Sequence, residues 1–401
     1  MTDGGGSSET RLRLGTGGRR VASVAALAGA AGWAATIALA AASDHGLERF
    51  FHAYLVSFSF YLSLALGALF FVLLGHLTRA GWSVVLRRVA EAVSLAVVPL
   101  GALALLVFLG RHELYEWTHA EAVAADPLLQ HKQAYLNTDF FLVRILLYFA
   151  TWSAMALYFA RASARQDASG EPGATVRMER LAAVATIAYA VTVTFAAFDL
   201  LMSLYPHWYS TIYGVYFFAG AVVGAFSLVT LLVFALQRAG RLEVVTTEHY
   251  HDLGKLTFGF VVFWAYVAFS QYMLIWYAHV PEETSWYLVR QQGPWLGLSL
   301  LLLFGHFVAP FLLLISRVPK RRPGLLAAVA AWVLVMHALD LYWLVMPEAS
   351  PDRSPFHPLD LSCGIAVGGI FLATVFWWLS RTALVPLRDP RLGESLELEN
   401  A

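Results

Sequence analysis

Residues 211–236 read TIYGVYFFAGAVVGAFSLVTLLVFAL and contain no charged side chain. Because an α-helix rises 1.5 Å per residue, about 20 apolar residues cross the roughly 30 Å hydrocarbon core of a membrane. The stretch is too long for a strand of a transmembrane barrel and favours a membrane-spanning helix. The whole chain has the same character, since 59% of its 401 residues are hydrophobic and 13% are charged. The sequence therefore predicts an integral membrane protein.

Nine further stretches are long and apolar enough to cross a membrane. Only helices and closed barrels satisfy their backbone hydrogen bonds in lipid, so we expect an all-α integral membrane protein with ten transmembrane helices. We interpret the first as an uncleaved helix, because its apolar run exceeds that of a signal peptide. The predicted spans are residues 21–42, 51–77, 84–110, 139–161, 180–204, 211–236, 255–279, 293–316, 325–346 and 362–385.

Charge and cysteine content exclude several classes of protein. The 27 Lys and Arg residues balance the 27 Asp and Glu residues, so no net charge attracts nucleic acid. The single cysteine, Cys363, excludes an internal disulfide, a thiolate-bound iron–sulfur cluster and a CxxCH haem attachment. We therefore expect no covalent cofactor and no metal site, and we assign no catalytic residue.

Basic residues are distributed unevenly between the two sides of the predicted membrane region. Twenty-one Lys and Arg residues lie in the two tails, in the second, fourth, sixth and eighth connections or at the span ends that adjoin them, whereas five lie in the other connections. The remaining one, Arg144, lies inside the fourth span. Since cytoplasmic loops carry an excess of Lys and Arg, we expect both termini to be cytoplasmic.

The two halves of the chain share short sequence motifs. Ala-Phe-Asp-Leu at 197–200 and Ala-Leu-Asp-Leu at 338–341 end the fifth and ninth spans, and in both cases a proline follows seven residues after the aspartate. Both spans also begin with Leu-Ala-Ala-Val-Ala. Landmarks four helices apart favour two related four-helix bundles, spans 2–5 and 6–9. Chance similarity between alanine-rich helices is the alternative.

This repeat divides the chain into six segments. A first and a last helix flank the two bundles, and both tails are predicted to be disordered. The predicted segments are a tail at 1–18, the first flanking helix at 19–50, the bundles at 51–210 and 211–361, the last flanking helix at 362–386 and a tail at 387–401.

Two glycine pairs have the GxxxG spacing that lets membrane helices approach closely. They are Gly220 with Gly224 in the sixth span and Gly364 with Gly368 in the tenth. We interpret both pairs as helix-packing motifs without a functional role.

Ionisable residues inside the spans are functional candidates, because a charge at mid-bilayer costs about 2.5–3.5 kcal/mol. Arg144, Asp199 and Asp340 are predicted at similar depths near the outer ends of their spans. One interpretation is a structural ion pair between Arg144 and one aspartate. It leaves the second aspartate unpaired, and an unpaired buried acid is suited to accept protons.

Two histidines, His306 and His337, lie near the middle of the eighth and ninth spans. His337 and Asp340 are three residues apart and share a helix face, so the carboxylate could orient the imidazole. Two facing histidines could instead bind a b-type haem. Each could also be a hydrogen-bonded histidine of the core.

Further ionisable residues lie towards the predicted cytoplasmic side. His76 ends the second span, and Glu91 follows Arg87 and Arg88 in the third, where either arginine could neutralise it. A series of ionisable groups from this side to the outer third is typical of proton movement. The predicted proton-transfer residues are Asp199, Asp340, His337, His306, Arg144, Glu91 and His76.

Polar and aromatic residues in the outer connections are candidates for contacting a quinone. They are His131, Asn137, His207 and Tyr209. Aromatic rings at this depth normally belong to the interfacial belt. Rings beside histidine and asparagine could also hold a quinone head group, and both interpretations stay open.

Four stretches carry a family resemblance: HKQAYLNTDFFLVR at 131–144, MSLYPHWYSTIYGVYFFAG at 202–220, HDLGKLTFGF at 251–260 and QYMLIWY at 271–277. The second stretch is the most specific. Over nearly all of residues 20–385 the chain resembles the polysulfide-reductase (NrfD-like) membrane family. Within that family it is most similar to the ActF-type subunits of alternative complex III, a quinol:cytochrome c or oxidase-linked oxidoreductase.

The resemblance implies ten helices with two four-helix bundles, in a cofactor-free subunit of the bacterial cytoplasmic membrane. It implies a NrfD-like sister subunit in the same lipid bilayer, and iron–sulfur and c-haem subunits outside it. A terminal oxidase is a further implied partner. Quinol oxidation is placed in the sister subunit, whereas the ActF-type subunit is associated with quinol or menaquinol contact and with proton half-channels.

We therefore expect an integral subunit of a quinol-oxidising respiratory complex that provides a proton-transfer path. Two alternatives stay open. A freestanding secondary transporter would place a substrate site between the two halves of the repeat. A b-haem membrane anchor would use the two histidines of the spans.

Overall fold

The structure, a computed structural model, describes residues 12–42, 46–349 and 356–399. Within these ranges it is helical and contains ten helices long and apolar enough to span a membrane. The ten predicted spans are therefore confirmed. The helices are α1 (Gly15–Ala41), α2 (Gly46–Leu77), α3 (Gly81–Leu109), α4 (Thr138–Ser169), α5 (Gly173–Leu204), α6 (Tyr213–Arg238), α7 (Thr247–Ala278), α8 (Gly293–Ile315), α9 (Pro323–Ala349) and α10 (Pro358–Leu379).

Most helices are longer than the apolar runs that predicted them. The helix α4, for example, continues to Ser169, eight residues past the predicted end of its span. Backbone hydrogen bonds continue a helix into polar surroundings, where apolar side chains are not needed. In contrast, α10 ends at Leu379, before the predicted residue 385. There the chain turns to the N-terminal segment, and the Leu384 amide donates to the carbonyl of Leu12.

The helices form two closed rings of four. In the first ring α2 packs on α3, α3 on α4, α4 on α5 and α5 on α2. In the second, α6 packs on α7, α7 on α8, α8 on α9 and α9 on α6. The two rings meet where α2 contacts α6 and α9 and where α5 contacts α6. The remaining helices, α1 and α10, pack on each other, α1 also contacts α2, and α10 also contacts α2 and α3. These are the two predicted bundles, and their origin by duplication stays a prediction.

The helices α1 and α10 approach each other closely, and Gly29 and Gly369 allow it. A Cβ atom added to Gly369 would lie 2.3 Å from the Cα atom of Gly29, so only glycine fits there. The GxxxG spacing singled out Gly364 and Gly368 instead. Gly368 faces the Tyr61 hydroxyl, and Gly364 has ordinary space around it. The close approach of α10 to α1 thus depends on Gly369, which is next to Gly368 in the sequence, rather than on the predicted pair Gly364 and Gly368.

The C-terminal tail is ordered up to residue 399, so the prediction of disorder for residues 387–401 is wrong for its described part. A short helix, Leu392–Leu396, lies against the face of the bundles that carries both termini, here called the terminal face. The Ser395 hydroxyl donates to the Trp82 carbonyl at 2.7 Å, and Asp389 pairs with Arg87. Composition could not predict this order, because the partners lie about 300 residues away. Of the predicted N-terminal tail, residues 1–11 lie outside the described residues, whereas residues 15–18 belong to α1, so the prediction of disorder is wrong for them too.

We expect Asp389→Asn to destabilise the protein by about 1–3 kcal/mol, because it removes the charge that faces the buried Arg87. Thermal unfolding in detergent measures the change. Glu397→Gln is the matched control, since Glu397 is an exposed acid of the same tail. Equal stability of the two variants would contradict the structural role of the tail.

Candidate functional site

The ionisable residues predicted to transfer protons lie in three separate clusters. The Asp199 pair lies inside the first bundle, the Glu91 cluster lies near the terminal face, and the Asp340 cluster lies inside the second bundle. Their members are Arg144 and Asp199; His76, Arg87, Arg88 and Glu91; and His306, His337 and Asp340.

The Asp199 pair is a complete ion pair. Arg144 donates from Nε to Oδ2 of Asp199 at 2.8 Å and from Nη2 to Oδ1 at 2.9 Å. The Tyr148 hydroxyl also donates to Oδ2, at 2.7 Å, and Nη1 of Arg144 donates to the Tyr135 carbonyl at 2.8 Å. Both carboxylate oxygens are therefore already engaged. Of the two sequence-based interpretations, the structural ion pair describes this geometry.

In the Glu91 cluster two arginines neutralise a fully buried carboxylate. Nε of Arg87 and Nε of Arg88 lie 3.4 and 3.3 Å from the two oxygens of Glu91. Arg88 also pairs with Asp167 at 2.8 Å. The ring of His76, buried beside Phe159 at 5.4 Å between ring centroids, completes the cluster. These contacts describe a charged network that stabilises the terminal face.

Asp340 differs from both other carboxylates, because neutral groups hold it. The Tyr216 hydroxyl of α6 donates to Oδ1, and the indole Nε1 of Trp264 in α7 donates to Oδ2 at 3.1 Å. The side chain is 1% exposed. Among the residues that the structure describes, no arginine or lysine pairs with it. Asp340 is therefore the second aspartate of the sequence analysis, the one that the ion pair with Arg144 leaves unpaired.

The two mid-membrane histidines lie beside each other, with ring centroids 6.4 Å apart. His306 packs on the Trp264 ring at 4.0 Å, and Nε2 of His337 hydrogen-bonds to the Ser63 hydroxyl of α2 at 2.8 Å. Within the described part of the chain, Nδ1 of His337 and both ring nitrogens of His306 have no hydrogen-bond partner. Such buried polar atoms are rare in proteins and mark positions for bound water or for function.

The hydrogen bond considered between His337 and Asp340 does not form. Sequence spacing places both residues on one face of α9, but their partners lie on different neighbouring helices. Asp340 reaches donors on α6 and α7, whereas His337 reaches Ser63 on α2. The carboxylate therefore does not orient the imidazole directly.

A widened helical turn positions His306. Residues Leu302–Val308 of α8 form a π-helical turn, and Pro310 has no N–H for the carbonyl of His306 four residues earlier. The indole of Trp332 donates to the Gly305 carbonyl within this turn at 2.7 Å. Such turns occur frequently at functional sites, and the sequence indicated only the proline.

Gly220 and Gly224 make room for an imidazole rather than for a helix backbone. A Cβ atom on Gly220 would lie 3.0 Å from Cε1 of His337, and one on Gly224 would lie 2.7 Å from Cδ2. The pair therefore packs α6 against the side chain of His337 on α9, and its lack of a functional role stays a prediction. The pair shapes the Asp340 cluster.

We expect Gly224→Ala to cost about 1–3 kcal/mol, because the added methyl group overpacks His337 and displaces it from Ser63. Gly364→Ala is the matched control, since its Cβ would meet only the Ser57 hydroxyl, at 4.0 Å. Both changes add one methyl group to an α-helix, so the difference in thermal stability reports the close contact of Gly224 with His337 and Leu64. Equal stability would argue against that contact.

A haem plane does not fit between the two histidines. Nε2 of His337 is already bonded to Ser63. The Trp264 ring covers His306, and α6 closes on His337 through Gly220 and Gly224. The residues around the two imidazoles therefore give no support to the haem-anchor alternative.

Of the four residues predicted to contact a quinone, Asn137 and His207 make other contacts, and His131 and Tyr209 are exposed. Asn137 caps α4, where its Oδ1 accepts from the Phe140 amide at 2.9 Å. Nε2 of His207 lies 2.5 Å from Oδ2 of Asp126, and this hydrogen bond lowers the pKa of Asp126. The structure does not bring the four together in the cavity described next, and their quinone contact stays a prediction.

A cavity of about 780 Å³ lies in the second bundle, between α7 and α8. Its walls are mostly apolar and aromatic, and exposed lining residues such as Phe269 and Leu303 open it towards lipid. Tyr216 and Trp264, the two donors to Asp340, also line it. The cavity therefore reaches the Asp340 cluster through these two side chains.

Sequence reasoning missed both the cavity and the two donors. Tyr216 and Trp264 lie in apolar spans, where aromatic residues are common. One signal was available: Gln271, an uncharged polar residue inside a span, lines the cavity and belongs to one of the stretches that carry the family resemblance.

The candidate site consists of the Asp340 cluster and the adjoining cavity, inside a multi-pass membrane protein. In comparisons with known proteins, no family model and no curated protein matches the chain.

Proposed function

We propose that the chain is an integral subunit of a quinol-oxidising respiratory complex of the alternative complex III type, and that its second bundle carries protons. The observation that supports proton transfer is the environment of Asp340. This carboxylate is buried, is held by two neutral donors and lies in the same cluster as two histidines whose ring nitrogens are not all hydrogen-bonded by the described residues. The resemblance at residues 131–144, 202–220, 251–260 and 271–277 supports membership of the complex.

The contrast with Asp199 explains why Asp340 is the proposed proton carrier. Asp199 is committed to the guanidinium of Arg144, a cation that would be left buried and unpaired without it. Asp340 has no such cation among the described residues. Since burial without a counter-charge disfavours a carboxylate, Asp340 can gain and lose a proton without breaking an ion pair.

The proposed path is a half-channel. It runs from Tyr216 and Asp340 to His306 and His337 and ends at Ser63 on α2. His76 lies 13 residues after Ser63 on the same helix, about 20 Å away along the axis. This distance is too long for direct transfer, so a connection to the Glu91 cluster requires water or a partner subunit.

The proposal includes the surroundings of the chain. We place it in the bacterial cytoplasmic membrane with both termini in the cytoplasm, as the distribution of basic residues indicates. Its proposed partners are a NrfD-like sister subunit within the membrane and iron–sulfur and c-haem subunits on the outer side. Electron transfer takes place on these partners.

Affinity purification of the tagged chain from its native membrane in mild detergent tests membership of the complex. We expect c-type haem absorption and iron–sulfur proteins in the eluate, together with quinol-oxidising activity. A tagged, unrelated polytopic protein of the same membrane is the control. Purification of the chain alone, without redox-active partners, would contradict the proposal and favour a freestanding transporter.

A further inference from the structure

Lys320 is a buried lysine without a counter-charge. It lies in the connection between α8 and α9, at the terminal face, and is 7% exposed. Lysine side chains normally extend to water, and buried ones are almost always paired. Among the residues that the structure describes, no carboxylate pairs with its ammonium, and burial, Lys255 and Arg317 all lower the pKa of Lys320. An anion from outside the described chain would balance this charge.

The fold holds the side chain of Lys320 against α7. A short helical turn, Arg317–Lys320, packs on α7. The stem of the lysine crosses α7 at Gly254, where an added Cβ atom would lie 2.7 Å from Cγ and 3.0 Å from Cβ of Lys320. Its Nζ lies 5.4 Å from the centroid of the Phe258 ring, one turn further along α7. The absence of a side chain at Gly254 therefore gives the ammonium its position over Phe258.

The carboxylates in the neighbourhood do not balance this charge, because they are already paired. Lys255 pairs with Asp252, and Arg321 pairs with Glu248. Arg317, three residues before the buried lysine, is exposed and adds a further cation. The pocket therefore has an excess of positive charge, and basic pockets between membrane helices on the cytoplasmic side bind the head groups of acidic lipids.

An apolar path leads from the ammonium of Lys320 to the cavity between α7 and α8. The Phe258 ring stacks on Phe311 of α8 at 5.5 Å between centroids, and Phe311 packs on Phe307 at the same distance. Phe307 lines the cavity, and so does Val262, one turn after Phe258 on α7. The two helices thus present apolar side chains all the way from the charged pocket to a cavity of about 780 Å³.

We infer that an anionic phospholipid binds at this position, with its phosphate on Lys320 and one acyl chain lying along Phe258 and Phe311 into the cavity. The phosphate supplies the negative charge, and the acyl chain suits the mostly apolar walls of the cavity. An acidic side chain of a partner protein would also balance the charge, but it would leave the apolar path uncovered. The inference does not rest on the proposed function, because it uses neither Asp340 nor a redox partner.

Native mass spectrometry of the full-length chain in detergent, titrated with dioleoylphosphatidylglycerol, tests the role of the charge. We expect Lys320→Met to weaken binding about tenfold, because a hydrogen bond to a charged group is lost. Methionine retains an unbranched stem across Gly254, so the variant should remain folded. Arg165→Met is the matched control, since Arg165 is an exposed cation at the end of α4 on the same face.

A pair of glycine substitutions in α7 tests the position of the ammonium while every charge is kept. Gly254→Ala displaces the stem of Lys320, whereas a Cβ atom on Gly259 would meet nothing within 4 Å. Both changes add one methyl group to the same helix. We expect Gly254→Ala to weaken binding of the lipid about as much as Lys320→Met does, and Gly259→Ala to leave it unchanged.

A third pair tests the path of the acyl chain. Leu303 lines the cavity and is 50% exposed, whereas Leu301, on the same helix and 40% exposed, does not line it. We expect Leu303→Trp to weaken binding of dioleoylphosphatidylglycerol about tenfold, through the loss of roughly two buried methylene groups. Leu301→Trp should bind this lipid like the wild-type chain. Binding of the dihexanoyl lipid should be unchanged in both variants, because its chains are too short to reach this depth.

Excess inorganic phosphate distinguishes a lipid from a soluble anion, and we expect it not to displace the lipid. Displacement by phosphate, equal binding by the wild-type chain and Lys320→Met, or equal losses in Lys320→Met and Arg165→Met would each overturn the inference. Loss of a partner subunit from Lys320→Met, with lipid binding unchanged, would assign the ammonium to an acidic segment of that subunit instead. Unchanged binding of the dioleoyl lipid by Leu303→Trp would contradict the path of the acyl chain.

Discussion

Replacing Asp199 with alanine is expected to lower the free energy of unfolding by about 3–5 kcal/mol. The change leaves the guanidinium of Arg144, which is 5% exposed, without its carboxylate. It also removes the acceptor of the Tyr148 hydroxyl. Unfolding of the purified chain by increasing mole fractions of SDS in mixed micelles measures the loss.

A double substitution shows whether the lost stability comes from the unpaired charge of Arg144. In Arg144→Met/Asp199→Leu both charges are replaced by apolar side chains, so most of the lost stability should return. The comparison is informative because the component single variants Arg144→Met and Asp199→Leu each leave one buried ion. If Asp199→Ala were as stable as the wild-type chain, the geometry of the Asp199 pair would be incorrect.

The helices could be predicted because membrane crossing depends on a property that one sequence contains. Runs of about 20 apolar residues must be helical in lipid, and all ten predicted spans correspond to helices. The two bundles could be predicted because the Asp199 and Asp340 landmarks recur at the same place four helices apart. The length of an apolar run and the spacing of a motif can be read from one sequence, without knowing which helices are neighbours.

The partners of the buried acids could not be predicted, because they depend on how each helix is rotated against its neighbours. The depths of Asp199 and Asp340 follow from the helical rise, and the two looked equivalent. Only the packing distinguishes them: Asp199 faces Arg144 on α4, whereas Asp340 faces Tyr216 and Trp264 on α6 and α7. An aromatic residue in an apolar span gives no signal of such a role.

The cavity was missed for a related reason. The search of the sequence considered ionisable residues inside the spans, and a cavity binding a neutral ligand needs none. Gln271 and Ser299, both uncharged and both inside spans, line it. Since an amide in lipid also requires a hydrogen-bond partner, a search for neutral polar residues in the spans would have found Gln271.

Replacing Asp340 with asparagine is expected to lower proton transfer by the assembled complex about 100-fold, because asparagine cannot bind and release a proton at this position. Asparagine has nearly the same volume as aspartate, and its oxygen can still accept from Tyr216. Folding and assembly should therefore persist. The measurement is proton release per quinol oxidised, with the complex reconstituted in sealed vesicles that contain a pH-sensitive dye.

Two further variants separate the loss of the titrating group from general damage to the bundle. Asp340→Glu retains a carboxyl group and should recover part of the proton transfer, although the longer side chain disturbs the bonds to Tyr216 and Trp264. Asp126→Asn removes an acid outside the spans and should leave proton transfer unchanged. If Asp340→Asn released protons at the wild-type rate, Asp340 would be a structural acceptor for two aromatic donors, and the protons would have to cross elsewhere in the complex.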